Sequence, residues 1–131
     1  MLDLIIISDK PIFSKEASNL LKREFSYFIV RGDDPDTLYM KKDGEGFELW
    51  FSPNDVLDDP EHFMEETIDR CPNKKAYLTN LSYTSEEIAK KIISILKPLY
   101  GNMWIQSDEY DDWFGTADEF IDKYHLGLTN D

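Results

Sequence analysis

Residues 27–51 read YFIVRGDDPDTLYMKKDGEGFELWF, and this stretch decides the fold class. Three short runs rich in apolar, β-branched and aromatic residues, at 27–30, 37–41 and 47–51, are separated by Gly, Asp and Pro, the residue types of tight turns. Runs of this length joined by such short connections pair as neighbouring antiparallel strands. The stretch therefore predicts a three-stranded antiparallel meander.

Three more strands are predicted outside this meander, at residues 2–7, 76–81 and 103–106. Each is a short, mostly apolar run that stops at polar or turn-forming residues, as buried strands do. The first run, LDLIII, is rich in β-branched residues, so we expect a largely buried strand there. The chain thus supplies six predicted strands.

Four helices are predicted between and after these strands. The first has Ser14 as its N-cap and ends near Phe25, because apolar residues recur in it at three- and four-residue spacing. The second begins at Asp59, which stands before a proline. The third and fourth each begin with a capping box, at Thr84–Glu87 and Thr116–Glu119. The core-facing residues predicted for the third helix are Ile88, Ile92, Ile95, Leu96 and Leu99.

The predicted order of elements is β-α-β-β-β-α-β-α-β-α, which indicates an α+β fold. A single-layer, mainly antiparallel sheet packed by about four helices accounts for that order. No linker rich in Pro, Gly or Ser divides the chain, so we expect one domain over residues 1–131. Within it, Ala76–Gln106 is a candidate crossover βαβ unit, while the order of strands in the sheet stays open.

The composition excludes several classes of partner. The chain of 131 residues holds 14 Lys and Arg against 27 Asp and Glu, for a formal net charge of −13, and 41% of it is apolar. The apolar share is that of a folded protein, whereas the negative charge disfavours nucleic acid and anionic membranes, which attract Lys and Arg. No run approaches the roughly 20 apolar residues of a membrane span. Because the N-terminus lacks the basic start of a signal peptide and the chain has one cysteine, we expect a cytoplasmic protein.

The negative charge is concentrated in two segments. Residues 33–69 contain 13 acidic and 2 basic residues, a net charge of −11, and residues 108–122 contain 7 acidic and no basic residues. The remaining residues carry a net charge of +5. Like charges at this density repel one another, so the segments are either a solvated surface or a surface that attracts a basic partner.

Aromatic residues lie among the acids of the second segment, in the sequence WIQSDEYDDWFG at 104–115. Carboxylates accelerate association with a cationic partner, and Trp and Tyr are frequent anchors of protein interfaces. We therefore predict a surface for a basic protein, with a second patch in the first acidic segment. The residues predicted in it are Glu109, Tyr110, Asp111, Asp112 and Trp113, with Asp58, Asp59 and Glu65 in the second patch. The other interpretation of Trp113 and Phe114 is that both rings fold back over a sheet edge.

The sequence contains no catalytic or metal-binding pattern. His62 and His125 are its two histidines, and neither stands at metal-ligand spacing from other candidate ligands. Glycine-rich phosphate loops and nucleophile elbows are absent from the sequence as well. We therefore predict a non-enzymatic protein without a metal or cofactor.

Two alternatives from other functional classes remain. One is a regulatory or small-molecule-binding domain with a pocket lined by Trp50, Trp104 and Tyr77. The other is a hydrolase that uses carboxylates such as Asp111 with a divalent cation. Ligand-dependent thermal stabilisation distinguishes the first alternative, and loss of activity in Asp111→Asn distinguishes the second.

Residues 76–119 resemble the small acidic immunity proteins that are encoded beside bacterial polymorphic or contact-dependent toxins. The likeness lies in AYLTNL at 76–81 before a capped helix, in LYGNMWI at 99–105, and in DEYDDWFG followed by TADEF at 108–120. The resemblance implies a cytoplasmic inhibitor that binds a cognate toxin domain and covers or distorts its active site. A toxin nuclease, for example, needs a basic cleft, which carboxylates can occupy in place of nucleic acid.

Overall fold

The computed structural model describes residues 2–57, 76–107 and 113–123. The helices and strands, in chain order, are β1 (Leu2–Ser8), α1 (Ser14–Glu24), β2 (Ile29–Asp33), β3 (Thr37–Lys42), β4 (Glu45–Leu57), β5 (Ala76–Tyr83), α2 (Glu86–Tyr100), β6 (Met103–Ser107), β7 (Trp113–Thr116) and α3 (Ala117–Lys123). All seven described strands belong to one sheet, in the order β2-β3-β4-β5-β1-β6-β7. Each described pairing of neighbours is antiparallel. The predicted α+β class with a mainly antiparallel sheet is therefore confirmed.

Strand β1 lies inside the sheet, between β5 and β6. Ile6 and Ile7 of β1 are fully buried in separate clusters on opposite faces, as expected for a strand that is covered on both. Both β5 and β6 run antiparallel to β1, so they are parallel to each other, and α2 connects them. The predicted crossover βαβ unit is therefore present, with β1 inserted between its two strands.

The three described helices pack on one face of the sheet, which we call the helical face. Each helix is anchored by a side chain with no exposed surface: Leu21 in α1, Ile92 in α2 and Phe120 in α3. Burial of one such side chain stabilises the fold by about 1.5–3 kcal/mol. The strand residues in the same core are Leu4, Ile6, Leu38, Met40, Phe47, Leu49, Phe51, Leu81, Tyr83, Met103 and Ile105.

The opposite face of the sheet, which we call the far face, carries a second and smaller cluster. Its buried members are Ile7, Ala76 and Trp104, and the partly buried Leu78 and Phe114 pack against them. Because side chains alternate along each strand, the residues between the helical-face positions of β4, β5, β1 and β6 belong to this face. The far face therefore combines an apolar cluster with the polar residues described below.

The helix termini agree in part with the positions predicted from the sequence. The predicted capping box of α3 is confirmed: the Glu119 N–H donates to Thr116 Oγ1 at 3.1 Å, and the Thr116 N–H donates to Glu119 Oε1 at 3.0 Å. The N-cap of α2 is Ser85, one residue later than predicted, and its Oγ accepts a backbone N–H. Thr84 instead binds the neighbouring strand, because its Oγ1 accepts the Gly46 N–H at 2.9 Å.

Other sequence predictions are corrected by the structure. Strand β7 occupies residues predicted as a loop. The described residues contain three helices, and the second predicted helix, from Asp59, lies outside the described residues. The N-cap of α1 is Phe13, and Ser14 is already helical. Leu99, predicted to face the core, is 47% exposed. The buried stripe of α2 advances in four-residue steps and reaches Tyr100 instead.

Candidate functional site

Of the eight residues predicted to bind a partner, Trp113 is the one that the described ranges include. The other seven lie outside them: Asp58, Asp59, Glu65, Glu109, Tyr110, Asp111 and Asp112. Trp113 is partly buried against the helical core, with its ring edge-on to Phe120 at a centroid distance of 5.6 Å. Its neighbour Phe114 packs on the far-face cluster. Both rings are therefore partly buried, but as side chains of the edge strand β7 on opposite faces of the sheet rather than folded back over an edge. Trp113 offers a partner only the part of its ring that stays exposed.

Lysines of the helical face pair with carboxylates of the two acidic segments. Lys22 of α1 pairs with Asp33, and Lys97 of α2 pairs with Asp118. All four side chains are accessible to solvent, so each pair contributes at most about 1 kcal/mol to stability. The pairs place basic residues of the helices beside part of the acidic segments. The net negative charge on that side of the molecule is therefore smaller.

A concavity of about 400 Å³ opens on the far face. We call it the Trp50 pocket, and its lining residues are Asp3, Leu4, Ile5, Trp50, Asn80, Leu81, Ser82 and Gln106. Four neighbouring strands, β4, β5, β1 and β6, supply these residues. The pocket therefore depends on pairing between distant parts of the chain.

The cross-strand register places the pocket residues side by side. Trp50 lies opposite Asn80 and Asn80 lies opposite Ile5. Ile5 in turn lies opposite Gln106, so the four residues form one row across the sheet. At about 4.8 Å between neighbouring strands, the row is roughly 14 Å long. Trp50 and Gln106 thus stand at the two ends of the pocket.

A second row brings negative charge to the edge of the pocket. Glu48 lies opposite Ser82, and Ser82 lies opposite Asp3. The Ser82 Oγ donates a hydrogen bond to Asp3 Oδ1, which fixes the carboxylate on the sheet. Among the described residues, the pocket lining contains no Lys or Arg. The described lining therefore matches a cationic ligand better than an anionic one.

Two side chains of the first row, Trp50 and Gln106, can make further contacts with a ligand. Trp50 is 50% exposed, although large apolar side chains are usually more buried. Gln106 Oε1 is buried and accepts no hydrogen bond from the described residues. A buried acceptor left unpaired costs about 1–3 kcal/mol, so a ligand that donates a hydrogen bond to it recovers part of that free energy.

A second concavity lies between α1 and the turn that connects β2 to β3. Two of its charged side chains are already paired with each other, Lys22 with Asp33. The Asp34 carboxylate accepts the N–H groups of Thr37 at 2.9 Å and Asp36 at 3.0 Å. A hydrogen bond with the Thr37 side chain, followed by these backbone hydrogen bonds, lowers the pKa of Asp34. These groups serve the turn, which makes this concavity a weaker candidate than the Trp50 pocket.

The aromatic pocket predicted from Trp50, Trp104 and Tyr77 is not assembled, so that prediction is wrong. Trp104 is 5% exposed within the far-face cluster, three strands away from Trp50. Tyr77 is four residues from Leu81, so strand alternation puts it on the helical face. One of the three residues, Trp50, lines the pocket that the sheet forms.

Sequence patterns miss four of the polar and acidic residues beside Trp50, which are Asp3, Asn80, Ser82 and Gln106. Asp3, Asn80 and Gln106 are polar residues inside predicted strands that are otherwise largely apolar, which is a usable signal. The signal does not show that they share a site, because that follows from the register of β5, β1 and β6.

Metal ligation and membrane insertion find no support in the ranges 2–57, 76–107 and 113–123. No group of three His, Cys, Asp or Glu side chains there is arranged to hold a metal ion, and Asp111 lies outside these ranges. None of the helices there is long and apolar enough to cross a membrane. Comparison of the chain with models of protein families, with curated proteins and with solved structures gives no match. The function is therefore argued from the residues of this chain.

Proposed function

We propose that the protein is a non-enzymatic binding domain that recognises a basic protein, and that it acts in the cytoplasm as an immunity protein against a cognate toxin domain. The observation that carries the proposal is the far face, where a half-exposed Trp50 shares one surface with the carboxylates of Glu48, two residues away on β4, and Asp3, two strands away on β1. An aromatic side chain surrounded by charges of one sign is typical of an interface anchor.

The distribution of charge supports the same proposal. The lysines of α1 and α2 are on the helical face, and three of them, Lys22, Lys90 and Lys97, are paired there with acidic residues. On the far face, the described lining of the Trp50 pocket includes the Asp3 carboxylate and no Lys or Arg, and strand alternation places Lys41 of β3 outside the pocket on the same face, diagonal to Glu48. A basic partner is therefore steered toward the far face rather than the helical face. The residues predicted from the sequence, Glu109 to Trp113 with Asp58, Asp59 and Glu65, stay a prediction for the same partner, since all but Trp113 lie outside the described ranges.

The proposed mechanism is occupation of a basic active-site cleft. A toxin that acts on nucleic acid binds phosphates with Lys and Arg, and carboxylates on a folded protein satisfy the same side chains. Trp50 supplies the apolar contact that excludes water at the centre of such an interface. Binding then blocks access of the substrate without any chemical step by the inhibitor.

A growth-rescue assay tests this function. The products of the genes on either side of the gene for this chain are expressed singly in a sensitive bacterial host, with and without the chain. We expect one product to arrest growth alone and growth to recover when the chain is present. The proposal fails if no neighbouring product is toxic, or if the chain does not relieve the toxicity. Trp50→Ala, which removes an exposed ring, is expected to weaken the rescue.

A second candidate function is the binding of a small molecule in the Trp50 pocket. The observation in its favour is the volume of about 400 Å³, which is within the range of ligand pockets. This function predicts that a metabolite raises the melting temperature of the isolated protein. A screen of neutral and cationic metabolites by thermal shift tests it, with Trp50→Ala as the control that removes the effect.

A further inference from the structure

The Trp50 pocket presents acceptors and an aromatic ring without any described cationic side chain. Asp3 contributes a carboxylate fixed by Ser82, and Gln106 contributes a buried oxygen that accepts no hydrogen bond from the described residues. Trp50 contributes an indole with half its surface exposed. An anionic ligand is repelled by this set, whereas a cation with several N–H donors matches it.

The spacing of the two acceptors restricts the kind of cation. Gln106 lies opposite Ile5, and Asp3 is two residues before Ile5 on the same strand, so Asp3 and Gln106 are diagonal neighbours. The backbones of diagonal neighbours are about 7–8 Å apart, which long side chains bridge. A ligand between the two must donate in two directions at once. The planar guanidinium group carries five N–H donors in a fork, whereas an ammonium is a compact and strongly hydrated charge.

We infer that the Trp50 pocket binds the guanidinium group of an arginine side chain. That this arginine belongs to a basic partner protein rests on the proposed function. The guanidinium donates to the Asp3 carboxylate and to Gln106 Oε1. The aliphatic part of the arginine side chain extends along the row toward Trp50 and packs against the indole. The preference for Arg over Lys comes from the planar fork of donors, which reaches both acceptors at once. Binding gives the Gln106 oxygen the donor that it lacks among the described residues.

Three small probes test this assignment on the full chain. N-acetyl-arginine methylamide carries the guanidinium, N-acetyl-lysine methylamide carries the same charge as an ammonium, and N-acetyl-citrulline methylamide has nearly the shape of arginine without the charge. Each is titrated while NMR follows the indole N–H of Trp50 and the side-chain amide of Gln106. We expect the arginine compound to shift both signals, the lysine compound to bind at least about fivefold more weakly, and the citrulline compound to bind more weakly still.

Two pocket variants and one control variant locate the binding. Trp50→Ala and Gln106→Leu should each lower the affinity for the arginine compound by roughly fivefold or more. Tyr27→Ala removes a ring that is 83% exposed and does not line the pocket, so it should leave the affinity unchanged. Gln106→Leu replaces a buried acceptor that is unpaired among the described residues, so it should not lower the unfolding free energy. Loss of binding is thereby separated from loss of folding.

The inference is overturned if the three probes bind equally, or if both pocket variants bind the arginine compound as well as the original chain. The titration does not involve the toxin, so its result is independent of the growth-rescue assay. Growth rescue without arginine binding removes the role of the pocket and leaves the proposed function. Arginine binding without growth rescue supports the pocket and removes the immunity function.

Discussion

Tyr100 connects two helices of the helical face through its hydroxyl group. The ring is 4% exposed at the end of α2, and the O–H donates to Glu16 Oε1 of α1 at 2.8 Å. Burial raises the pKa of Tyr100 well above its ordinary value, and the hydrogen bond and charge of Glu16 raise it further. The folded protein therefore holds this proton more tightly than the unfolded chain does.

The Tyr100 contact predicts a pH dependence of stability at the alkaline end. The unfolded chain releases the proton near pH 10, while the folded chain keeps it, so the stabilisation is complete below pH 10 and declines as the pH rises further. Tyr100→Phe should cost about 1 kcal/mol at pH 7, and its stability should fall less steeply above pH 10. Urea unfolding between pH 7 and 11.5 measures both effects. Tyr27→Phe, at an exposed ring, is the control, and parallel pH profiles for the two variants would contradict the prediction.

At the scale of elements, β7 and α3 are joined through the ring of Trp113. The ring contacts Phe120 of α3, and a Cβ built on Gly115 of β7 would lie 2.8 Å from Trp113 Cη2. Gly115 therefore leaves the room that the Trp113 ring occupies. Because the ring is rigid and packed against a buried side chain, it has little freedom to move aside.

Gly115→Ala is expected to destabilise the protein by roughly 1–3 kcal/mol, since the added methyl group displaces the Trp113 ring from Phe120. Chemical denaturation gives the loss in unfolding free energy, and the NMR signal of the Trp113 indole reports the displacement. The matched control is Gly44→Ala, because a Cβ at Gly44 meets no atom within 4 Å. The prediction is wrong if both variants have the same stability and the indole signal does not move.

The elements that can be predicted from the sequence are those that depend only on residues close together in the chain. The meander at 27–51 and the capping box of Thr116 need only local patterns, and both are present in the structure. Strand β7 is missed because it has four residues, one of them Gly115, and it exists through pairing with β6. The Trp50 pocket is missed for a related reason: the row from Trp50 to Gln106 depends on three registers between segments far apart in the chain. Local propensity contains no information about such registers.

At the scale of the whole molecule, the sheet separates two electrostatic surfaces. Residues outside the two acidic segments carry a net charge of +5, and part of this charge belongs to the lysines of α1 and α2 on the helical face. Part of the acidic charge is matched there by Lys22 and Lys97. The far face holds the carboxylates of Asp3 and Glu48, the exposed Trp50, and Lys41 diagonal to Glu48. Under the proposed function, we expect a basic partner to be steered toward the far face before contact.

This separation predicts that the position of a removed charge matters more than the change in net charge. Glu48→Gln and Glu87→Gln each remove one negative charge, the first on the far face and the second from the exposed surface of α2. Glu48→Gln should slow association with the toxin found by growth rescue by about two- to threefold at 20 mM salt, and by much less at 500 mM, where screening acts over about 4 Å. Asp111→Asn combined with Asp112→Asn should act in the same direction if the second acidic segment adds to the surface.

Stopped-flow association rates across a salt series give the comparison. Equal slowing by Glu48→Gln and Glu87→Gln would mean that net charge alone governs the encounter, and the far face would lose its role as the binding surface.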